Sequence, residues 1–125
     1  MCCSLNLAPE VHGASGLEGA ELKHSPKSAI KEDSLLKVYQ KIMNHEKKVD
    51  FVVTGAMTNL ALLLKTFPLI KKQLNGITIM GGAIGMGNWS PAAEFNILVD
   101  PEAAKIVMNC GIKVTMIPLE VTHTV

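Results

Sequence analysis

Arginine is absent from this 125-residue chain, and all twelve of its basic side chains are lysine. A pocket built to grip phosphate commonly recruits arginine's planar fork. Its absence leans toward an uncharged ligand, although lysine or backbone N–H groups can also hold a phosphate. An excess of charge is missing too. The net charge of +1 provides no field to draw in nucleic acid or an anionic membrane, and neither is an expected partner. Cysteine is scarce: Cys2, Cys3 and Cys110 show neither a disulfide framework nor metal-ligand spacing, which fits a reducing compartment. Long apolar runs are lacking as well. Phe51 to Leu64 is interrupted by Gly55, Thr58 and Asn59, well short of the roughly 20 residues a membrane helix needs. The opening MCCSLNLAPE has no basic stretch followed by a long apolar one, so no secretory signal is expected. A soluble, cytoplasmic chain is the expectation.

What is present is globular: 48% of the residues are apolar and 18% charged, over a length that suits one modest domain. Residues 1–32 read as loop, with scattered Gly, Pro, Ser and Lys and no sustained periodicity. Residues 33–125 alternate helix and strand. Asp33 or Ser34 can cap a helix running to about Asn44, with Leu35, Val38, Tyr39, Ile42 and Met43 on one stripe. A buried strand follows from Val49 to Thr54. Gly55 ends it, Thr58 or Asn59 opens a leucine-rich helix, and Phe67-Pro68 breaks that helix before a short helical piece over Leu69 to Leu74. Asn75-Gly76 reads as a turn into a strand from Ile77 to Met80. Asp100 caps a helix with Pro101 at its first position, Gly111 stops it, and the last strand is Lys113 to Ile117. Apolar strands alternating with helices predict an α/β, Rossmann-like open parallel sheet flanked by helices on both faces. Three strands alone would leave edges and faces bare, so the chain reads as the central fragment of a larger domain.

The richest stretch runs from Ile77 to Ala104. A short strand stops at Met80, a glycine-rich segment follows (Gly81, Gly82, Gly85, Gly87), and Asn88, Glu94 and Asn96 come before the next helix. The glycines let the backbone approach a ligand closely, but they lack the dinucleotide fingerprint, whose helix follows at once. Carboxamide and carboxylate groups crowded beyond a strand end are poor core material. They suit a pocket that counts and orients the hydroxyls of a small polar ligand, because ligands of open α/β sheets sit outside the carboxyl ends of the strands.

Four segments carry a family resemblance: Val11-His12-Gly13-Ala14-Ser15-Gly16-Leu17-Glu18-Gly19; Val53-Thr54-Gly55-Ala56-Met57-Thr58-Asn59-Leu60-Ala61; Met80-Gly81-Gly82 through Asn88 to Ala93-Glu94-Phe95-Asn96 and on into Asp100-Pro101-Glu102-Ala103-Ala104; and Leu119-Glu120-Val121-Thr122-His123. Over residues 9–125 the chain resembles the inosine–uridine-preferring nucleoside hydrolases, which cleave the N-glycosidic bond of ribonucleosides. The resemblance implies a partial nucleoside hydrolase domain over 1–125, a ribonucleoside as partner, Ca2+ as cofactor of the complete enzyme, and base plus ribose as products. It is compatible with a homo-oligomer. The family's Asp-x-Asp-Pro-Gly-x-Asp-Asp cluster occurs nowhere in these residues. That cluster supplies most of the calcium ligands and the general base, so no catalytic residue is assigned here. The chain alone is expected to show little or no turnover. The alternative is a truncated, non-catalytic protein that binds a nucleoside or serves as an interaction partner.

Residue by residue, the resemblance implies that Asn88, Glu94 and Asn96 grip the ribose hydroxyls and that the Thr54 carbonyl is a calcium ligand. It sets Met80 under the sugar. Against these stand plainer roles: a turn residue for Asn88, a solvated charge for Glu94, a strand-terminal threonine for Thr54 and a core side chain for Met80. Phe95 either stacks near the sugar or plugs the loop onto the sheet, and Trp89 either covers the pocket mouth or packs. His12 either borders the base pocket or organises the loop beside Gly13. Asp100 is read as a helix cap and His123 as structural.

Overall fold

The computed structural model describes residues 34–124. The expected loop over 1–32, with His12 in it, lies outside the described residues, as does the alternative cap Asp33.

Helix α1 (Leu35–Met43) starts at Ser34, whose Oγ accepts the Lys37 N–H at 3.3 Å. Its apolar stripe turns inward: Ile42 is buried, and Leu35, Val38 and Tyr39 pack partly buried against the same core. Tyr39 stacks on Phe67 with ring centroids 4.5 Å apart. Strand β1 is Val49–Val53, helix α2 is Thr58–Thr66, and Phe67 ends α2 ahead of a 3-10 turn, Pro68–Lys72. Strand β2 (Leu74–Met80) is the middle of a three-stranded parallel sheet ordered β1-β2-β3, with β3 at Val114–Ile117. Between β2 and β3 come a long polar loop, the short helix α3 (Phe95–Val99) and helix α4 (Pro101–Met108). A single turn, α5 (Leu119–Thr122), follows β3.

The α/β parallel sheet with flanking helices is as expected, and four details differ. Asn75-Gly76 is not a turn ahead of β2 but an irregularity inside it, where the pairing register slips between Val49 and Asp50. The slip leaves Asn75 as an extra residue, and its Nδ2 donates to Asp50 Oδ1 at 2.8 Å. Glycine tolerates such bulges as readily as it does turns. The helical piece expected over Leu69 to Leu74 ends earlier, as a 3-10 turn, and Leu74 already belongs to β2. The stretch ahead of Asp100 is helical as α3, a piece too short to print a 3.6-residue pattern on the sequence.

The fourth difference concerns the faces of the sheet. Phe51, Val53, Ile77, Ile79 and Val114 join α1, α2 and α4 in one apolar cluster. Val52, on the other face, is 65% exposed, and its register partners Thr78 and Thr115 are polar. Among the described residues, then, one face carries the core. Helix α4 is fixed over this core by Asp100, whose Oδ1 accepts the Ala103 N–H at 3.1 Å and whose Oδ2 accepts the Thr58 hydroxyl at 2.6 Å. Gly111, at φ +82°, then turns the chain out of α4 toward β3.

Candidate functional site

The three strands end side by side. Val53 pairs in register with Ile79, and Met80 with Ile117, so Thr54, Gly81 and Pro118 leave the sheet together at its carboxyl edge. Gly81 extends the ladder by donating its N–H to the Ile117 carbonyl at 3.1 Å, and Leu119 donates to the Gly82 carbonyl at 3.0 Å. Gly82 has φ +79°, a backbone conformation that favours glycine, and a Cβ there would press on the flexible Met116 side chain, 2.9 Å from its sulfur.

Glu94 sits at the centre. Only 3% of it is exposed, and its carboxylate accepts three backbone N–H groups: Gly82 at 2.9 Å, Asn96 at 2.9 Å and Ile97 at 3.1 Å. It therefore caps α3 and pins the start of the glycine-rich loop at once. A carboxylate offers about four acceptor positions, so roughly one is left over. Asn88 caps the same helix from the other side, its Oδ1 accepting the Phe95 N–H at 3.0 Å. Its Nδ2 has no acceptor among the described residues. The Asn96 Nδ2 reaches back to β2, donating to the Met80 carbonyl at 3.1 Å and contacting the Met80 sulfur at 3.2 Å. Its Oδ1 has no donor among the described residues.

Asn88, Glu94, Asn96 and Met80 are thus brought to one place, threaded through the first turn of α3. Phe95 turns its ring to Trp89, centroids 5.2 Å apart, so these two aromatics pack on each other at the loop's edge. Thr54 is exposed, stands one strand over beside the Met80 end of β2, and shares no hydrogen bond with the trio. Gly87 closes the loop tightly: a Cβ on it would collide with the backbone of Ala93 and Ser90. The Gly87 and Trp89 N–H groups donate to the Pro91 and Ala93 carbonyls, at 3.1 and 3.2 Å.

One acidic residue of this edge, Glu120, lies in a segment that carries the family resemblance but has no role assigned by it. The Glu120 carboxylate accepts the Gly85 N–H at 2.9 Å and the Ile84 N–H at 3.1 Å. These bonds, Gly85's first, hold its carboxyl below the usual range. The available signal is indirect: a run of loop N–H groups in need of acceptors and an acidic side chain just past the neighbouring strand. The Asp100 carboxyl is also lowered, first by the Thr58 hydroxyl. Asp100 is a helix cap, as expected.

Chemically, this edge presents the Asn88 carboxamide N–H2 and the Asn96 carboxamide oxygen beside an apolar Met, with one further acceptor position on the buried Glu94 carboxylate. That set accepts from and donates to neighbouring hydroxyls. Among the described residues no group of three His, Cys, Asp or Glu side chains could hold a metal ion. A separate cavity of about 520 Å³ opens between α2, the 3-10 turn and α4, lined by Lys65, Lys71 and Lys105, and shares no residue with this edge.

The sequence profile of the inosine-uridine preferring nucleoside hydrolases matches residues 2–125. The chain belongs to that family. It is 48% identical over 121 residues to the pyrimidine-specific ribonucleoside hydrolase RihA of Escherichia coli O1:K1 / APEC, an alignment covering 96% of this chain and 39% of the relative. Among solved structures it resembles the plant nucleoside hydrolase PpNRh1, with TM-score 0.80, 34% identity, and coverage of 96% of this chain and 38% of the other. It also resembles the purine-preferring ribonucleoside hydrolase of Gardnerella vaginalis, with TM-score 0.76, 37% identity, and coverage of 90% and 36%. The chain therefore spans about 39% of the length of the curated relatives it matches. The nucleoside hydrolase family and the α/β fold expected from the sequence are both borne out.

Proposed function

We propose that this chain forms the ribose-binding wall of a nucleoside N-ribohydrolase, which hydrolyses the bond between a base and C1′ of ribose. The observation that carries the reading is the Glu94–Asn96–Met80 network at the carboxyl edge of β2, with Asn88 closing it. Asn96 Oδ1 and the spare position on Glu94 would accept from ribose hydroxyls, and Asn88 Nδ2 would donate to one. A pocket that holds the sugar tightly can favour the flattened, cation-like ring of glycoside cleavage. The relatives' names differ in the base, pyrimidine-specific in one and purine-preferring in another, while both match most of this chain and both are named for ribonucleosides. That supports assigning it to the sugar they have in common. His12 is proposed at the border of the base pocket and Phe95 beside the sugar, on the resemblance alone.

Calcium is proposed for the complete enzyme, where it would lower the pKa of the attacking water. The Thr54 carbonyl fits as one oxygen of the six to eight that calcium takes. Thr54 lies past a strand end, where no described residue donates to that carbonyl. The remaining ligands would come from outside the described residues. A cytoplasmic setting is proposed from the three cysteines without framework spacing. No helix among the described residues is long and apolar enough to cross a membrane.

Titrating the chain with ribose while recording the side-chain amide signals of Asn88 and Asn96 tests the wall. Both signals move if the wall reads sugar, and silence from both ends the proposal. A second reading is a non-catalytic nucleoside-binding form. Ribose release from inosine and uridine with calcium present separates the two: little or no turnover is expected of this chain alone, and robust turnover refutes that expectation.

A further inference from the structure

The loop from Gly82 to Gly87 has almost nothing apolar to hold it. Ile84 is 82% exposed and Met86 75%, so burial does not fix its path. Its two ends are tied. Gly82 gives its N–H to Glu94, and its carbonyl accepts from Leu119, while Gly87 donates to Pro91. Between those ends, the hydrogen bonds formed among the described residues are those of Ile84 and Gly85, and both go to one acceptor, the Glu120 carboxylate. Glu120 is well placed for this. It follows Leu119, which is buried and bonded to the Gly82 carbonyl, so the carboxylate stands at a fixed height above the edge of the sheet.

We infer that Glu120 is a positioning residue: it clamps the middle of the β2–α3 loop and thereby sets where Asn88 meets the first turn of α3. Two adjacent N–H groups on one ionised acceptor form charge-assisted bonds, stronger than neutral ones. Freed of them, the loop between the tied ends would move and pull on Gly87, and Asn88, which is also held by the Gly87 and Trp89 bonds to Pro91 and Ala93, would shift in its register with the Phe95 N–H. The aromatic pair reports the same event, because Trp89 follows Asn88 and leans on Phe95. The functional meaning rests on the sugar-wall reading above; the clamp itself does not. Glu120 would touch no substrate. Its effect passes through Asn88.

Amide hydrogen exchange on the chain as it stands, in wild type, Glu120→Ala and Glu120→Gln, tests the clamp. In Glu120→Ala the Ile84 and Gly85 amides should exchange roughly tenfold faster or more, as expected for loss of a bond to a charged acceptor. The Phe95 amide should quicken with them, the emission of Trp89, the chain's one tryptophan, should shift to the red, and Ile79 in β2 should stay unchanged. Glu120→Gln keeps an acceptor without the charge and should fall between the two; it also decides the matter if the alanine variant fails to fold. Unchanged exchange at Ile84 and Gly85 in both variants overturns the clamp. Faster exchange there with Phe95 and Trp89 unmoved overturns the positioning role. A ribose titration of wild type keeps the two ideas apart: if Asn88 and Asn96 ignore the sugar, the wall reading fails while the exchange data still judge Glu120.

Discussion

Beneath α2 and α4, the side chains of Met57, Leu63, Ile77, Ile79 and Val107 are at most 1% exposed, and apolar contact holds them. The β2–α3 loop adjoins this core but is held differently. It turns Ile84, Met86 and Trp89 outward and is shaped by Glu94, Asn88 and Glu120 through backbone N–H groups. Among the described residues, the one charged group within the core is the Asp100 cap that ties α4 to Thr58, and apolar packing does the rest, whereas the loop depends on three polar acceptors. A fold divided this way can keep its scaffold while its ligand-facing edge is reset by single polar substitutions.

The comparison breaks first in the core. Ile79→Ala should cost about 2–5 kcal/mol of unfolding free energy in denaturant titration, the usual range for a buried aliphatic truncation. Next, Glu94→Ala should cost about 2 kcal/mol, from a lost cap and three unpaired N–H groups, and should disorder α3 before the sheet. Core-first unfolding in that variant would show that the loop is not an independent region. Thr58→Val removes the hydroxyl that does most to lower the Asp100 carboxyl. A carboxyl lowered in the folded state stabilises above its unfolded pKa near 4, and that stability is lost as pH falls through the folded value. The gap between wild type and Thr58→Val should therefore be about 1.5 kcal/mol at pH 7, a modest value for a bond to a charged group, and should close in acid. A gap that stays constant from pH 7 into acid assigns the effect to packing. Smallest of all, Val52→Thr on the bare face of the sheet should stay within about 0.5 kcal/mol by thermal melting, as a surface change does. A larger loss there would mean that the face is covered.

Much of the scaffold is readable because its signals are local. Asp100-Pro101 announces the start of α4, Gly111 its end, and β-branched runs announce β1 and β3. The bulge at Asn75-Gly76 reads as a turn because turns and bulges recruit the same residues, and only the partner strand tells them apart. The trio of Asn88, Glu94 and Asn96 is legible as a polar cluster past a strand end. What each atom does is not. Glu94 passes equally for a solvated charge, yet it is buried and capping, because its three donors lie in backbone that folds around it. Glu120 acts on a loop 35 positions away, a distance across which no sequence period speaks.

Helix α3 has five residues. A helix that short cannot form on its own hydrogen bonds, because fixing the first turn outweighs the few bonds it completes. Its nucleus is external: the oxygens of Asn88 and Glu94 that receive the N–H groups of Phe95, Asn96 and Ile97. Helix and acceptors must consequently melt as one unit, and any ligand that drew those oxygens fully away would unwind the very element that carries Asn96.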